Sequence, residues 1–294
     1  MLNRAALVAG VVALASLFVT PGAAAADEGS EFRDDFDTGL DPGWVIRDGY
    51  AEAFPEDTAN HASYTTSDGH LNITIPGGEE HNMWLLQHAQ LVRPYLGSGV
   101  YEVKVDSAFT GDQQFGIVFE SSPGTFMLFM LYAHGHVMGY VEQFRQLDGW
   151  LAKHTLVGFD TGVPVPASGP FFVRVTVDDH EDPTQRTWRF EWSRDGGNWH
   201  TGADGVLEQA AEEYNIGEIQ SVSLFAGNQP TGFDGYEARF DYFSATQAPP
   251  APPILAPVVG AAASSGKVTL DWSEVFPDDT YVVSRRADGA EAFE

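Results

Sequence analysis

Three neighbouring stretches, Gln113–Glu120 (QQFGIVFE), Phe126–Tyr132 (FMLFMLY) and Val137–Phe144 (VMGYVEQF), decide the fold. In the first, Phe115, Ile117 and Phe119 fall on one face, while Gln114, Gly116, Val118 and Glu120 fall on the other. That two-residue period is the mark of a strand. The second stretch is apolar on both faces, as a strand covered on both sides must be. The third follows Ala133-His134-Gly135-His136, so the second and third read as a hairpin. Outward from this centre the same text continues. Gly99–Val105 (GVYEVKV), Phe171–Val177, Thr187–Ser193, Gln220–Ala226 and Tyr236–Phe243 read as strands, with His70–Ile75 and Trp84–His88 as further ones. Gly, Pro, Asn and Asp punctuate the junctions. Only Val206–Tyr214 (VLEQAAEEY) reads as a short helix. Many short strands separated by turn residues predict an all-β protein, an antiparallel β-sandwich of the jelly-roll type.

The flanks have different signatures. Residues 1–26 read as a signal peptide: Arg4 supplies the positive start, Leu7–Val19 the apolar run, and Ala23-Ala24-Ala25-Ala26 small residues for cleavage. The apolar run is short of the roughly 20 residues needed to span a bilayer. The expectation is therefore a secreted, extracellular or cell-surface protein that stays out of the membrane once the signal is removed. The jelly-roll domain is expected over 27–247. Gln247-Ala248-Pro249-Pro250-Ala251-Pro252-Pro253 opens a stiff proline-rich linker over 248–257. In 258–294, Lys267–Trp272 (KVTLDW) and Thr280–Arg286 (TYVVSRR) are two alternating strands.

Composition narrows the partners. The 294 residues hold 42 Asp+Glu against 15 Lys+Arg, for a net charge of -27. Nucleic-acid binding needs Lys and Arg to replace counterions on phosphates, so that class is excluded. Docking on anionic lipid is disfavoured for the same reason. There is no cysteine, which removes a disulfide scaffold, a thiolate metal site and a thiol nucleophile. Neutral ligands and cations remain, and a monomer is expected.

The order of several short motifs resembles the concanavalin A-like lectin/glucanase jelly rolls, and within them the C-terminal sandwich domains of family-43 glycosidases. Phe32-Arg33-Asp34-Asp35-Phe36-Asp37 with Gly43-Trp44 resembles the family opening, and Trp84-Leu85-Leu86-Gln87 its N-x-L-L-Q strand. Gln114-Phe115-Gly116-Ile117-Val118 is similar to its Q-A-G-L strand, and Glu191–Trp199 (EWSRDGGNW) to its S-x-D-G-x-x-W hairpin. Val222–Asn228 and Ala238–Phe243 (ARFDYF) resemble its ending. Pro257, Leu270, Trp272, Tyr281, Val283 and Arg285 are spaced as at the start of a fibronectin type III domain, of which 258–294 is an incomplete segment. The resemblance implies a sandwich whose concave sheet meets carbohydrate.

The resemblance also states what catalysis needs. The retaining relatives place carboxylates along one strand as E-x-D-x-E or E-x-D-x-x-E. No Glu in these strands is followed by an Asp two residues on. Glu120 and Glu142 could still meet across neighbouring strands as an acid/base pair of a glycoside hydrolase. Without catalysis, sugar is held by aromatic faces and planar hydrogen-bonding groups. By parity Gln114 shares a face with Glu120, and Tyr140 with Glu142. Tyr132 ends the preceding strand and Trp150 lies in the loop beyond. These six are the candidate ligand-binding residues for a polysaccharide. Trp44, Trp188 and Trp192 read as core, and Trp199 as packing across its hairpin.

Two metal readings stand beside this. First and last strands of such sandwiches usually lie side by side, which would gather Asp35, Asp37 and Asp241 around a structural calcium. His134 and His136 offer two imidazoles at a hairpin tip, with His81, His88 or His154 to complete a set. Nothing in the spacing fixes the third ligand, and a polar turn is the simpler reading. The sequence thus supports a non-catalytic carbohydrate-binding module, with a glycoside hydrolase and a structural spacer of a cell-surface protein as alternatives.

Overall fold

The computed structural model describes residues 31–48, 62–78, 80–86, 88–147, 150–179, 185–207, 216–228, 235–247, 259–264 and 267–272. The signal peptide, the proline linker and Thr280–Arg286 lie outside them. The chain divides into two compact units, Asp27–Pro249 and a second that contains Pro250–Glu294.

Asp27–Pro249 is built from β1 (Glu31–Asp34), β2 (Val45–Asp48), β3 (Ser63–Ser67), β4 (His70–Ile75), β5 (Ala89–Pro94), β6 (Gly99–Val105), β7 (Gln113–Ser122), β8 (Thr125–His134), β9 (His136–Leu147), β10 (Trp150–Pro164), β11 (Phe171–Asp178), β12 (Thr187–Ser193), β13 (His200–Leu207), β14 (Ser221–Asn228) and β15 (Tyr236–Gln247). One sheet runs β13-β12-β11-β6-β15-β4-β3, with β1 also pairing β15. The other runs β10-β9-β8-β7-β14-β5-β2. All strand pairings are antiparallel. The second unit contributes the hairpin β16 (Val259–Ser264) and β17 (Lys267–Trp272). The first and last strands of the sandwich do lie side by side, with Asp34 opposite Phe243.

The core lies between the sheets and follows the two-residue period. From the seven-stranded sheet it takes Phe115, Ile117, Phe119, Met127, Phe129, Leu131, Val141, Leu91 and Leu224; from the other it takes Tyr101, Val103, Val175, Phe190, Phe240 and Phe243. Trp188 sits at its centre, 5.1 Å from Phe119 and 5.2 Å from Phe129 between ring centroids. Each such ring buries about 150–250 Å², so the aromatic cluster dominates the packing energy. Trp44 and Trp192 are also buried. The β6 and β11 side chains alternate buried with partly exposed, as strands with one wet face do. β7 and β8 are buried on both faces along nearly their whole length. Something therefore covers the outer face of the seven-stranded sheet.

Three local readings change. Trp84–His88 is not a strand. Met83–Leu85 is a 3-10 turn, because the Asn82 side chain accepts from the Trp84 N–H and Leu86 takes a left-handed φ of 59° that stops extension. Val206 and Leu207 end β13 rather than open a helix, and the remainder of Val206–Tyr214 lies outside the described residues. Trp199 packs on its own turn and on the neighbouring strand β11 rather than across its hairpin. Its Nε1 donates to the Gly196 carbonyl, and the Arg174 guanidinium lies 3.7 Å from its ring centroid.

Candidate functional site

The cover is the segment His81–Leu86, which crosses the outer face of the seven-stranded sheet. Two of its backbone N–H groups anchor it to side chains of the strands below. His81 N–H donates to Asn228 Oδ1 (2.7 Å) on β14, and Met83 N–H donates to Gln114 Oε1 (3.1 Å) on β7. Met83 and Leu86 then fill the floor against Val118, Phe126, Leu128, Met130, Phe144 and Phe225, forming a second buried cluster. Burying each of these two side chains contributes about 1.5–3 kcal/mol.

The cover stops short of one end. There Trp84 stands partly exposed among Tyr132 of β8 and Tyr140 of β9, with centroids 5.7 and 6.4 Å from its own. The two tyrosines are 6.4 Å apart. Lys153 of β10 lies 4.2 Å above the Trp84 ring. Beneath, Glu142 accepts from Trp84 Nε1 and from Thr155 Oγ1 (2.9 Å), and pairs with Lys153 Nζ at 3.0 Å. Tyr132 donates to Asp112 Oδ1 at 2.8 Å. Burial, reinforced by Asp112, pushes the Tyr132 hydroxyl well above the ordinary tyrosine range, and burial beside Glu142 raises Tyr140. Both stay protonated donors at neutral pH. The result is a cluster of three mutually tilted rings in which Trp84 and Tyr140 are partly exposed and Tyr132 is buried, with the Lys153 ammonium and Thr155 hydroxyl at its rim.

Parity places Gln114, Glu120, Tyr132, Tyr140 and Glu142 on one face, and they share it. They do not form one binding surface. Gln114, Glu120 and Glu142 are buried at 0%, 3% and 1% exposure, so they are internal anchors rather than groups that first meet a ligand. Gln114 holds the cover. Glu120 pairs with Arg47 of β2 and accepts from Gly124 N–H at 3.2 Å. Trp150 begins β10 opposite Leu147, and its side chain lies outside the described residues. Trp84 and Lys153, which the sequence does not single out for this role, complete the patch. Lys153 shares its face with Thr155 by period two, a signal present in the sequence; Trp84 could be placed only by recognising Asn82 as a cap.

Glu120 and Glu142 do not meet. Glu120 is opposite Phe126, which is opposite Phe144, while Glu142 is opposite Leu128. Two strand spacings and one pleat repeat put their Cα atoms about 12 Å apart. Each turns away from the other, Glu120 toward β2 and Glu142 toward β10, with Phe126 and Leu128 buried between them. A retaining pair needs about 5–5.5 Å and an inverting pair about 6.5–9.5 Å.

The acidic opening also rearranges. Asp34 caps its own loop, accepting from Phe36 N–H, Asp41 N–H and Trp44 Nε1. Asp35 is exposed and pairs with Arg33 at 2.6 Å, and Asp37 is exposed. Asp241 gathers instead with His70 and Asp106, the donor atoms of the three lying within 4.8 Å of one another. Lys104 Nζ already sits 2.9 Å from Asp106 and 3.0 Å from Asp241. These residues do not fit a calcium site, because an ammonium occupies the carboxylates that a hard cation would need. Of the histidines considered with His134 and His136, His81 and His88 are buried, and desolvation holds His88 well below the usual imidazole range. His154 is opposite Gln143 and so faces the other side of the sheet from Glu142.

No protein-family model and no curated protein matches the chain. Solved structures do. A mutant of the GH43 protein BlXynB from Bacillus licheniformis is 20% identical with a TM-score of 0.50, the match covering 73% of this chain and 39% of that one. The catalytic domain of an endo-1,3-β-glucanase (laminarinase) from Thermotoga petrophila is 13% identical with a TM-score of 0.46, over 74% of this chain and 98% of that one. A Bacillus licheniformis β-glucanase is 15% identical with a TM-score of 0.45, over 75% and 99%. The chain therefore spans about two-fifths of the GH43 protein's length. The GH43 match establishes the fold, a concanavalin A-like β-sandwich, and at this identity it carries no residue's role across.

Proposed function

We propose that Asp27–Pro249 is a non-catalytic carbohydrate-binding module of a secreted, multidomain protein, joined by its proline-rich linker to a fibronectin type III-like segment. The observation that carries the reading is the aromatic patch of Trp84, Tyr132 and Tyr140 on the outer face of the seven-stranded sheet. Apolar sugar faces stack on Trp84 and Tyr140, with Tyr132, 6% exposed, backing them from below, and the surrounding Thr155, Lys153 and Tyr140 hydroxyl meet the sugar's own hydroxyls. The patch is small, so the ligand contacts it with a short stretch of a longer glycan. Among the described residues, Glu120 and Glu142 do not serve as a catalytic pair in this reading, since each is internally paired and they lie far apart. A structural spacer is the second reading, favoured by the apolar floor under Met83 and Leu86.

Titration of the purified chain with plant and microbial polysaccharides, followed by tryptophan fluorescence, separates the two. A binder gives a saturable change with at least one glycan. In Trp84→Ala, retention of the same glycan on an affinity gel falls at least about tenfold, because a stacked tryptophan supplies much of the energy of a small site. A folded chain that responds to no member of a broad panel is a spacer.

A further inference from the structure

At the tip of the β8–β9 hairpin, His134 and His136 flank Gly135 and are direct partners across the ladder. Directly opposed residues project to the same side of a sheet, with Cβ atoms about 4.5–5.5 Å apart. Both imidazoles are exposed, at 65% and 51%. Each ring is oriented by its own carboxylate. His134 Nδ1 lies 2.9 Å from Asp112 Oδ1, and His136 Nδ1 lies 2.9 Å from Asp160 Oδ2. An ionised carboxylate only accepts, so each Nδ1 carries the hydrogen and each neutral ring keeps its lone pair on Nε2. The carboxylates are held in turn. Asp112 accepts from Tyr132, and Asp160 Oδ1 accepts from Gly162 N–H at 2.8 Å. The Tyr132 ring stacks on His134 at 5.7 Å and 14°, which fixes the imidazole plane. Two carboxylate–histidine pairs, held from opposite flanks of the hairpin by Asp112 before β7 and Asp160 on β10, each keep Nε2 to accept a ligand, the outer-shell arrangement that metal-ligating histidines use.

We propose that Nε2 of His134 and Nε2 of His136 form a site for a late first-row divalent cation, with water in the open positions. Imidazole nitrogen selects zinc, nickel and copper(II) over calcium and magnesium, which take oxygen. The site does not use the aromatic patch as a ligand-binding surface, so it stands whether or not the chain binds glycan. It is also separate from His70, Asp106 and Asp241 on the other sheet, where Lys104 supplies the cation.

The test uses the purified chain without a polyhistidine tag, titrated with zinc chloride by calorimetry. One equivalent binds. His134→Gln and His136→Gln each weaken binding at least about tenfold, and both proteins fold because the side chains are exposed. Asp160→Asn, which keeps both imidazoles, weakens it about 10–100-fold, as loss of an orienting partner does. Asp204→Asn, removing another exposed carboxylate, and His70→Asn leave it unchanged. Copper(II) loaded at one equivalent shows two coupled nitrogens in its electron paramagnetic resonance spectrum. Zinc binding that survives in the His134→Gln/His136→Gln double variant, or no binding at millimolar zinc, overturns the proposal.

Discussion

Phe129→Ala is expected to destabilise the sandwich by about 4 kcal/mol, the cost of truncating a buried ring and leaving its cavity. Phe129 is fully buried and lies within 5.9 Å of Phe119, 5.2 Å of Trp188 and 5.8 Å of Phe190 between ring centroids. These rings come from both sheets, so the hole opens where the layers meet and neither layer can close it alone. For a domain of this size the melting temperature should fall by roughly 10 °C. Urea unfolding monitored by circular dichroism measures the change. A loss below about 1 kcal/mol would mean that Phe129 does not sit between the sheets.

Glu142→Ala has the next largest effect, about 3 kcal/mol of stability, and it also reaches the aromatic patch. The carboxylate is 1% exposed and accepts from Trp84 Nε1 and Thr155 Oγ1 while pairing with Lys153. Its removal leaves these donors without their acceptor in a partly dehydrated site, which is costlier than the net worth of the bonds. Trp84 then loses the contact that fixes its ring, so glycan retention falls with stability. Glu142→Gln separates positioning from charge. Its amide oxygen still accepts one of these hydrogen bonds, and the loss should be about 1 kcal/mol, with retention within about threefold of the parent. Equal losses in both variants would show that charge, rather than the hold on Trp84, is what Glu142 provides.

The sandwich is legible in the sequence because period two is strict where one face is wet. Val103 and Val105 of β6, and Val173, Val175 and Val177 of β11, point to the core while their neighbours point out. The doubly apolar run Phe126–Tyr132 signals a strand covered on both faces, but nothing in its text says by what. The covering segment reads as a strand because Trp84-Leu85-Leu86 is apolar enough to be one. Its turn depends on a single side-chain cap from Asn82 and a left-handed Leu86, neither of which leaves a periodic trace. That one segment also explains the site. Parity identifies the right face for Gln114, Glu120 and Glu142, yet parity is blind to the partners that make them anchors: the covering segment for Gln114 and Glu142, and Arg47 and Gly124 for Glu120. The same limit applies to Asp241, whose partners His70, Lys104 and Asp106 come from strands β4 and β6 and the loop after β6.

Incubating the chain with the insoluble glycan that best quenches its tryptophan fluorescence, and assaying pellet and supernatant together, puts the central claim to its sharpest trial. The chain should sediment with the glycan, Trp84→Ala should remain in solution, and no new reducing ends should appear over days. Release of reducing sugar that disappears in Glu142→Gln would contradict the account, since it would make a catalyst of a carboxylate whose proposed task is to hold a ring in place.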